Sequence, residues 1–166
     1  MPELTPRVVF DCNLFVQGIA NRNSPAQKAL RLFFNGDISL FVSEPIIREV
    51  RDVLNRAEVR RQLPGIDDRI VNAFLTKLEA KAILIVNVPE EFHYERDPED
   101  EMYINLAIVT NAAYLVSRDK DLLDLMTTST DIARQFRSRY PFLRIMTASD
   151  FITAIESATA TRDDDG

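Results

Sequence analysis

The sequence predicts an α/β domain built on a mainly parallel central sheet of about five strands, in three layers. Two observations lead there. Short β-branched runs alternate with segments of helical period along the whole chain. At 166 residues and 46% hydrophobic content, the chain also holds enough apolar side chain for one sizeable core, and no Gly/Ser or Pro-rich linker divides it. One domain is therefore expected over residues 1–157. Residues 158–166 (ATATRDDDG) offer nothing to bury and read as a flexible acidic tail.

The first strand is Arg7-Val8-Val9-Phe10, followed directly by Asp11-Cys12-Asn13 and a short helix over Leu14–Ala20. Ser24-Pro25 starts a second helix, with a capping hydroxyl followed by proline at the first helical position; it stops at Gly36. Ile38–Val42 is the second strand. Ser43-Glu44-Pro45 opens a helix in which Ile46, Ile47, Val50, Val53 and Leu54 recur at helical spacing. Pro64-Gly65 breaks the chain, and Asp67 or Asp68 caps a helix with the apolar stripe Ile70, Val71, Phe74, Leu75 and Leu78. That stripe belongs to the core or, as an alternative, to a homodimer interface.

Ala82–Val88 is the third strand, ended by Pro89. A polar loop through Asp97-Pro98 delivers a helix from about Glu99 to Ala112. Tyr114–Ser117 is the fourth strand, followed by Asp119-Lys120-Asp121 and helical stretches near Leu122–Met126 and Asp131–Arg139. Leu143–Met146 is the fifth strand, and Ser149 is expected to cap a last helix from about Asp150.

Composition excludes several chemistries. The single Cys12 rules out an internal disulfide and a cysteine-rich zinc site, and the lone His93 rules out any site needing two histidines. The longest apolar runs, such as Ala82–Val86, have five residues, far below a membrane span. With no secretion signal in the polar start, a soluble, cytoplasmic protein is expected. The net charge of −6 opposes a general polyanion-binding surface, unless divalent cations offset part of it.

In an open parallel sheet, ligands sit at the carboxyl ends of the strands. Asp11 follows the first strand and Asp119 the fourth. Glu49 lies about one turn into the helix after the second strand, and Asp100 opens the helix before the fourth. Alone, each has an ordinary account as a turn residue, a helix cap or a solvated side chain. Together they put four acids from distant segments on one edge. Like charges at close range raise one another's pKa, and a hard divalent cation removes that cost. Oxygen-only ligands without His or Cys point to Mg²⁺ or Mn²⁺ rather than zinc. Such an ion acidifies water and supports in-line displacement at phosphorus without a histidine base. Asn13, Asp97, Ser117 and Asp121 are supporting candidates, Ser117 as a hydrogen-bond partner of Asp119.

Four segments resemble the PIN-domain nucleases. Val8-Val9-Phe10-Asp11-Cys12-Asn13 is similar to their hydrophobic run ending in D-x-N. Pro45-Ile46-Ile47-Arg48-Glu49-Val50 is similar to the helix of their second acid, and Arg96-Asp97-Pro98-Glu99-Asp100-Glu101-Met102-Tyr103 to the segment of their third. Tyr114-Leu115-Val116-Ser117-Arg118-Asp119-Lys120-Asp121-Leu122-Leu123 resembles the fourth, with Ser117 where relatives often have Thr. The ordered match spans about Arg7–Ile152 and looks closest to the bacterial toxins of toxin-antitoxin systems. The resemblance implies Mg²⁺ or Mn²⁺ dependence, cleavage of single-stranded RNA, and an antitoxin partner. It also implies Asp11, Glu49, Asp100 and Asp119 as the metal-binding acids, with Asp97 and Asp121 as spare acids.

For substrate, Arg48, Arg96 and Arg118 are the expected phosphate contacts, with Arg51, Arg56, Arg60, Arg61, Arg134, Arg137 and Arg139 as further candidates. Phe92 and Tyr94 are expected to stack on an unpaired base. Two other readings use the same acids. A haloacid-dehalogenase-like phosphatase would make Asp11 a covalent nucleophile, although Asn13 stands where such enzymes carry a second Asp. A non-catalytic PIN-like RNA- or protein-binding module would keep the acids only for Mg²⁺ or for caps.

Overall fold

The computed structural model of the chain describes residues 4–165. Five strands, β1 (Arg7–Phe10), β2 (Ser39–Ser43), β3 (Ile83–Ile85), β4 (Tyr114–Val116) and β5 (Arg144–Met146), form one sheet in the order β3-β2-β1-β4-β5. Every neighbouring pair is parallel, with Val8 opposite both Leu40 and Tyr114. Helices flank the sheet: α1 (Cys12–Ala20), α2 (Pro25–Asn35), α3 (Glu44–Asn55), α4 (Ala57–Gln62), α5 (Asp68–Lys81), α6 (Glu101–Val109), α7 (Lys120–Thr127), α8 (Asp131–Arg139) and α9 (Ala148–Asp164). The chain builds outward from β1 to β3, then crosses back to place β4 on the other side of β1. The strand order therefore reverses between β1 and β4, and their carboxyl ends border the crevice where α/β sheets bind ligands.

Local chemistry explains most boundaries. Ser24 Oγ accepts from Gln27 N–H at 3.1 Å and Pro25 occupies the first helical position, starting α2; Gly36 ends it at φ 84°, the left-handed conformation glycine adopts without strain. Asp67 caps α5 by accepting from Ile70 N–H at 2.9 Å. Phe10, Phe15 and Phe151 pack edge to face, with ring centroids 5.9 and 6.0 Å apart, and weld β1, α1 and α9 into the core. Of the apolar stripe on α5, Val71, Leu75 and Leu78 are buried in that core and Phe74 is packed against it, while Ile70 is exposed.

Some expectations need correction. The third strand is only three residues long, because its sole neighbour β2 ends at Ser43, opposite Ile85, leaving Val86 nothing to pair with. Asn87, at φ 57°, then turns the chain away. Thr147, not Ser149, caps the last helix, accepting from Asp150 N–H at 3.2 Å. The helix before β4 starts with a 3-10 turn over Pro98–Asp100 and ends at Val109 rather than Ala112. The helical region after β2 breaks at Arg56 into α3 and α4. The stretch expected to be a flexible acidic tail is helical as the continuation of α9 to Asp164, and everything from Glu156 to Asp165 is exposed, with nothing to bury; Gly166 lies outside the described residues. Among the described residues no helix is long and apolar enough to cross a membrane.

Candidate metal centre

Asp11 leaves β1 at its carboxyl end. Its Oδ1 accepts from Leu14 N–H at 3.1 Å, capping α1, and its Oδ2 accepts from the hydroxyl of Ser117, just beyond β4. The bond is made across the strand-order reversal, where β1 and β4 lie side by side. Asp11 is only 4% exposed, and burial pushes its carboxyl up to about 6 against the lowering effect of those two donors. The charge of Asp119 raises it further and that of Arg118 lowers it.

Asp119 is the cap of α7. Its Oδ1 accepts from Asp121 N–H at 2.8 Å, and its own N–H donates to Ser117 Oγ at 2.9 Å. Ser117 thus ties the Asp11 and Asp119 segments together, donating to one and accepting from the other. The hydrogen bond expected between Ser117 and Asp119 is made by the backbone N–H of Asp119, and Asp11 is a second partner.

Asp100 closes the 3-10 turn at the start of α6 without capping it. Its place at the start of the helix still favours a negative charge, as the ordinary account of this acid has it. Its carboxylate joins those of Asp97 and Asp119, with one oxygen from each acid lying within 4.8 Å of the others. Burial and the charges of Asp119 and Asp97 push the Asp100 carboxyl up to about 8. Asp100 Oδ2 is buried with no hydrogen-bond partner. A buried carboxylate oxygen left unpaired is costly, and here it shares a pocket of like charge. An oxygen-only set with one orphaned lone pair fits a hard divalent cation of the Mg²⁺ or Mn²⁺ kind, which satisfies that oxygen and offsets the repulsion.

Glu49, one turn into α3, is partly buried and accepts from the phenol of Tyr103 on α6. Burial, then the hydrogen bond and charge of Glu49, drive the Tyr103 phenol far above its ordinary range, so it stays a donor. Tyr103 escaped sequence analysis, although it lies three residues after Asp100 and so on the same helical face. Between these groups, burial and the charges of Glu49 and Asp11 push the Cys12 thiol up to about 12, which leaves it a neutral packing group rather than a nucleophile or thiolate ligand.

The chain therefore gathers Asp97, Asp100 and Asp119 into one cluster, links Asp11 to it through Ser117, and holds Glu49 on Tyr103. Asp97, expected as a spare acid, is a full member. Asp121 is not: its carboxylate pairs with Arg96 at 2.6 Å. Asn13 is exposed in the first turn of α1.

The expected substrate contacts fare unevenly. Arg96 is bound to Asp121 and, at 2.8 Å, to Asp124. Arg48 pairs with Glu44 at 3.1 Å, Arg51 with Glu79 at 2.6 Å, and Arg60 with Asp68 at 2.9 Å. Arg134 and Arg139 pair with Asp131 and Glu91, while Arg137 donates to the carbonyls of Leu125 and Thr128. Arg118 is exposed, faces the neutral amide of Gln17, acts on Asp11 through its charge, and makes no ion pair with an acid among the described residues. Phe92 and Tyr94 cannot stack on a base. They are 7% and 2% exposed, and Phe92 packs against Tyr94, Phe136 and Tyr140, with ring centroids of Phe92 and Phe136 5.0 Å apart. Their loop follows no periodic pattern, so its inward and outward faces are not legible from sequence.

Comparison with known proteins agrees with this geometry. The PIN-domain family pattern matches residues 7–121, more than half of the chain and the stretch that carries every acid of the cluster. A protein of Methanocaldococcus jannaschii, itself uncharacterized, is 28% identical over 156 residues, covering 94% of this chain and 96% of the relative.

Proposed function

The chain belongs to the PIN-domain family, whose members are generally metal-dependent nucleases, and on that premise we propose that it is a Mg²⁺- or Mn²⁺-dependent endoribonuclease of single-stranded RNA. The observation that carries this reading is the Asp97, Asp100 and Asp119 cluster, with its orphaned Asp100 oxygen, at the reversal of strand order. Asp97, Asp100 and Asp119 would hold the cation, with Asp11 and Glu49 as the adjoining acids. When bound, the cation supplies a Lewis acid that acidifies water and steadies charge on a phosphate under attack.

The protein's own groups do the rest. Ser117 fixes Asp11 and the Asp119 segment relative to each other, so the acids approach with little freedom left to lose. Tyr103 aims Glu49. Arg118, exposed and without an ion pair to an acid among the described residues, would orient an RNA phosphate, which a chain of net charge −6 otherwise repels. The phosphatase alternative requires an accessible Asp11 carboxylate, and here both oxygens are engaged and buried.

The resemblance of the four acid segments to the toxin branch supports a role as the toxin of a cytoplasmic toxin-antitoxin pair, with a small antitoxin covering the crevice. The test is cleavage of an unstructured RNA with Mn²⁺, together with Mn²⁺ binding measured directly on the protein. Wild type should bind Mn²⁺ and cut, while Asp11→Asn and Asp100→Asn should remain folded and cut no faster than background. Equal cleavage by wild type and the Asp11→Asn/Asp100→Asn double variant would refute the proposal.

A further inference from the structure

We propose that Arg96 is a positioning residue that sets the metal centre by locking the Asp97 loop onto α7. This deepens the metal-centre reading above and rests on it. The segment between β3 and α6 has no regular structure until Pro98, yet it must place Asp97 opposite Asp119, the cap of α7. Its anchoring comes from a few directed contacts. Arg96 Nε binds Asp121 at 2.6 Å and its Nη2 binds Asp124 at 2.8 Å. Those acids are three residues apart on α7, hence on one helical face, and the planar guanidinium spans both.

Two residues before Arg96, the buried Tyr94 adds two more ties. Its phenol donates to the Asp121 carbonyl at 2.6 Å, and its N–H donates to Glu101 Oε1 at 2.8 Å. The backbone then runs from Tyr94 to the cluster through two short turns, Asp97 N–H to the Tyr94 carbonyl at 3.1 Å and Asp100 N–H to the Asp97 carbonyl at 3.2 Å. Asp97 follows Arg96 directly, so a shift of the guanidinium moves a ligand. Arg96 has a second effect in the same place. It neutralises Asp121 and Asp124, which would otherwise add two negative charges beside three clustered acids. The arginine that sequence analysis gave to RNA, and the spare acid it gave to the metal, therefore hold each other.

The experiment is a Mn²⁺ titration of the folded protein, followed by the signal of free Mn²⁺ in electron paramagnetic resonance, for wild type, Arg96→Gln and Arg96→Lys. Charge alone and positioning predict opposite signs. Removing a cation next to an acidic cluster strengthens Mn²⁺ binding if Arg96 acts only through its field. Loss of the lock weakens binding, by about 10-fold or more, the usual effect of removing a group that orients a metal ligand. Arg96→Lys keeps the charge but not the two-armed geometry, so it should also bind more weakly than wild type. Should Arg96→Gln fail to fold, Arg96→Lys decides alone. Binding equal to or tighter than wild type in the folded variants overturns the proposal and leaves the metal centre standing. A wild type that binds no Mn²⁺ sinks the metal centre and this inference together.

Discussion

Replacing Asp100 with asparagine should make the metal-free protein more stable at neutral pH. The substitution keeps the size of the side chain and removes the charge that burial and the neighbouring Asp119 and Asp97 oppose. In the folded chain the Asp100 carboxyl stands at about 8 against an ordinary 3.8. A carboxyl raised on folding contributes stability that is fully present below the unfolded value and is lost as pH rises through the folded one. Between about pH 4 and pH 8, metal-free wild type therefore loses stability that Asp100→Asn does not. Taken at full strength, the interval from 3.8 to pH 7 corresponds to about 4 kcal/mol. Solvent reaches the partly exposed cluster and screens it, which reduces the expected gain to about 1–2 kcal/mol. For a chain of this size, that raises the melting temperature by about 3–6 °C. The assay is thermal unfolding followed by circular dichroism, in EDTA, at pH 7 and pH 4. The variant should melt higher at pH 7, converge with wild type near pH 4, and gain less than wild type from added Mn²⁺. A variant that melts lower at pH 7 in EDTA would refute the account of Asp100 as a repelled, unsatisfied carboxylate.

Two other substitutions probe the supports of the site. Ser117→Ala strips Asp11 Oδ2 of its donor in a buried setting and frees the Asp119 N–H; urea unfolding should show a loss of about 1–3 kcal/mol. Phe92→Ala should cost about 3–5 kcal/mol in the same assay, as expected for a ring in the core, and an unchanged stability with weakened RNA binding would restore the stacking role denied to it here.

The positions that sequence analysis located best are those where one residue's chemistry acts locally. Ser24-Pro25 and Gly36 bound α2 because a capping hydroxyl, a fixed φ and a tolerated left-handed φ work wherever the chain places them. Asp11 and Asp119 are legible as candidates because an acid directly after a parallel strand, or a few residues beyond one, lies near the carboxyl edge whatever the rest of the chain does. Arg96 shows the opposite. Its sequence neighbours, Glu95 and Asp97, say nothing of Asp121 and Asp124, which reach it only after α7 has packed.

The alternation of strand and helix patterns, set by which side chains avoid water, was enough to determine an α/β sheet with acids at its carboxyl edge. Periodicity survives any arrangement of the elements, so it can be read before they meet. Only the tertiary structure decided which acids come together. The order β3-β2-β1-β4-β5 sets Asp11 beside Ser117, the turn at Pro98 swings Asp97 and Asp100 against Asp119, and Arg96 turns Asp121 away. Electrostatic partnership depends on separations of a few ångströms through space, and sequence distance carries no measure of them.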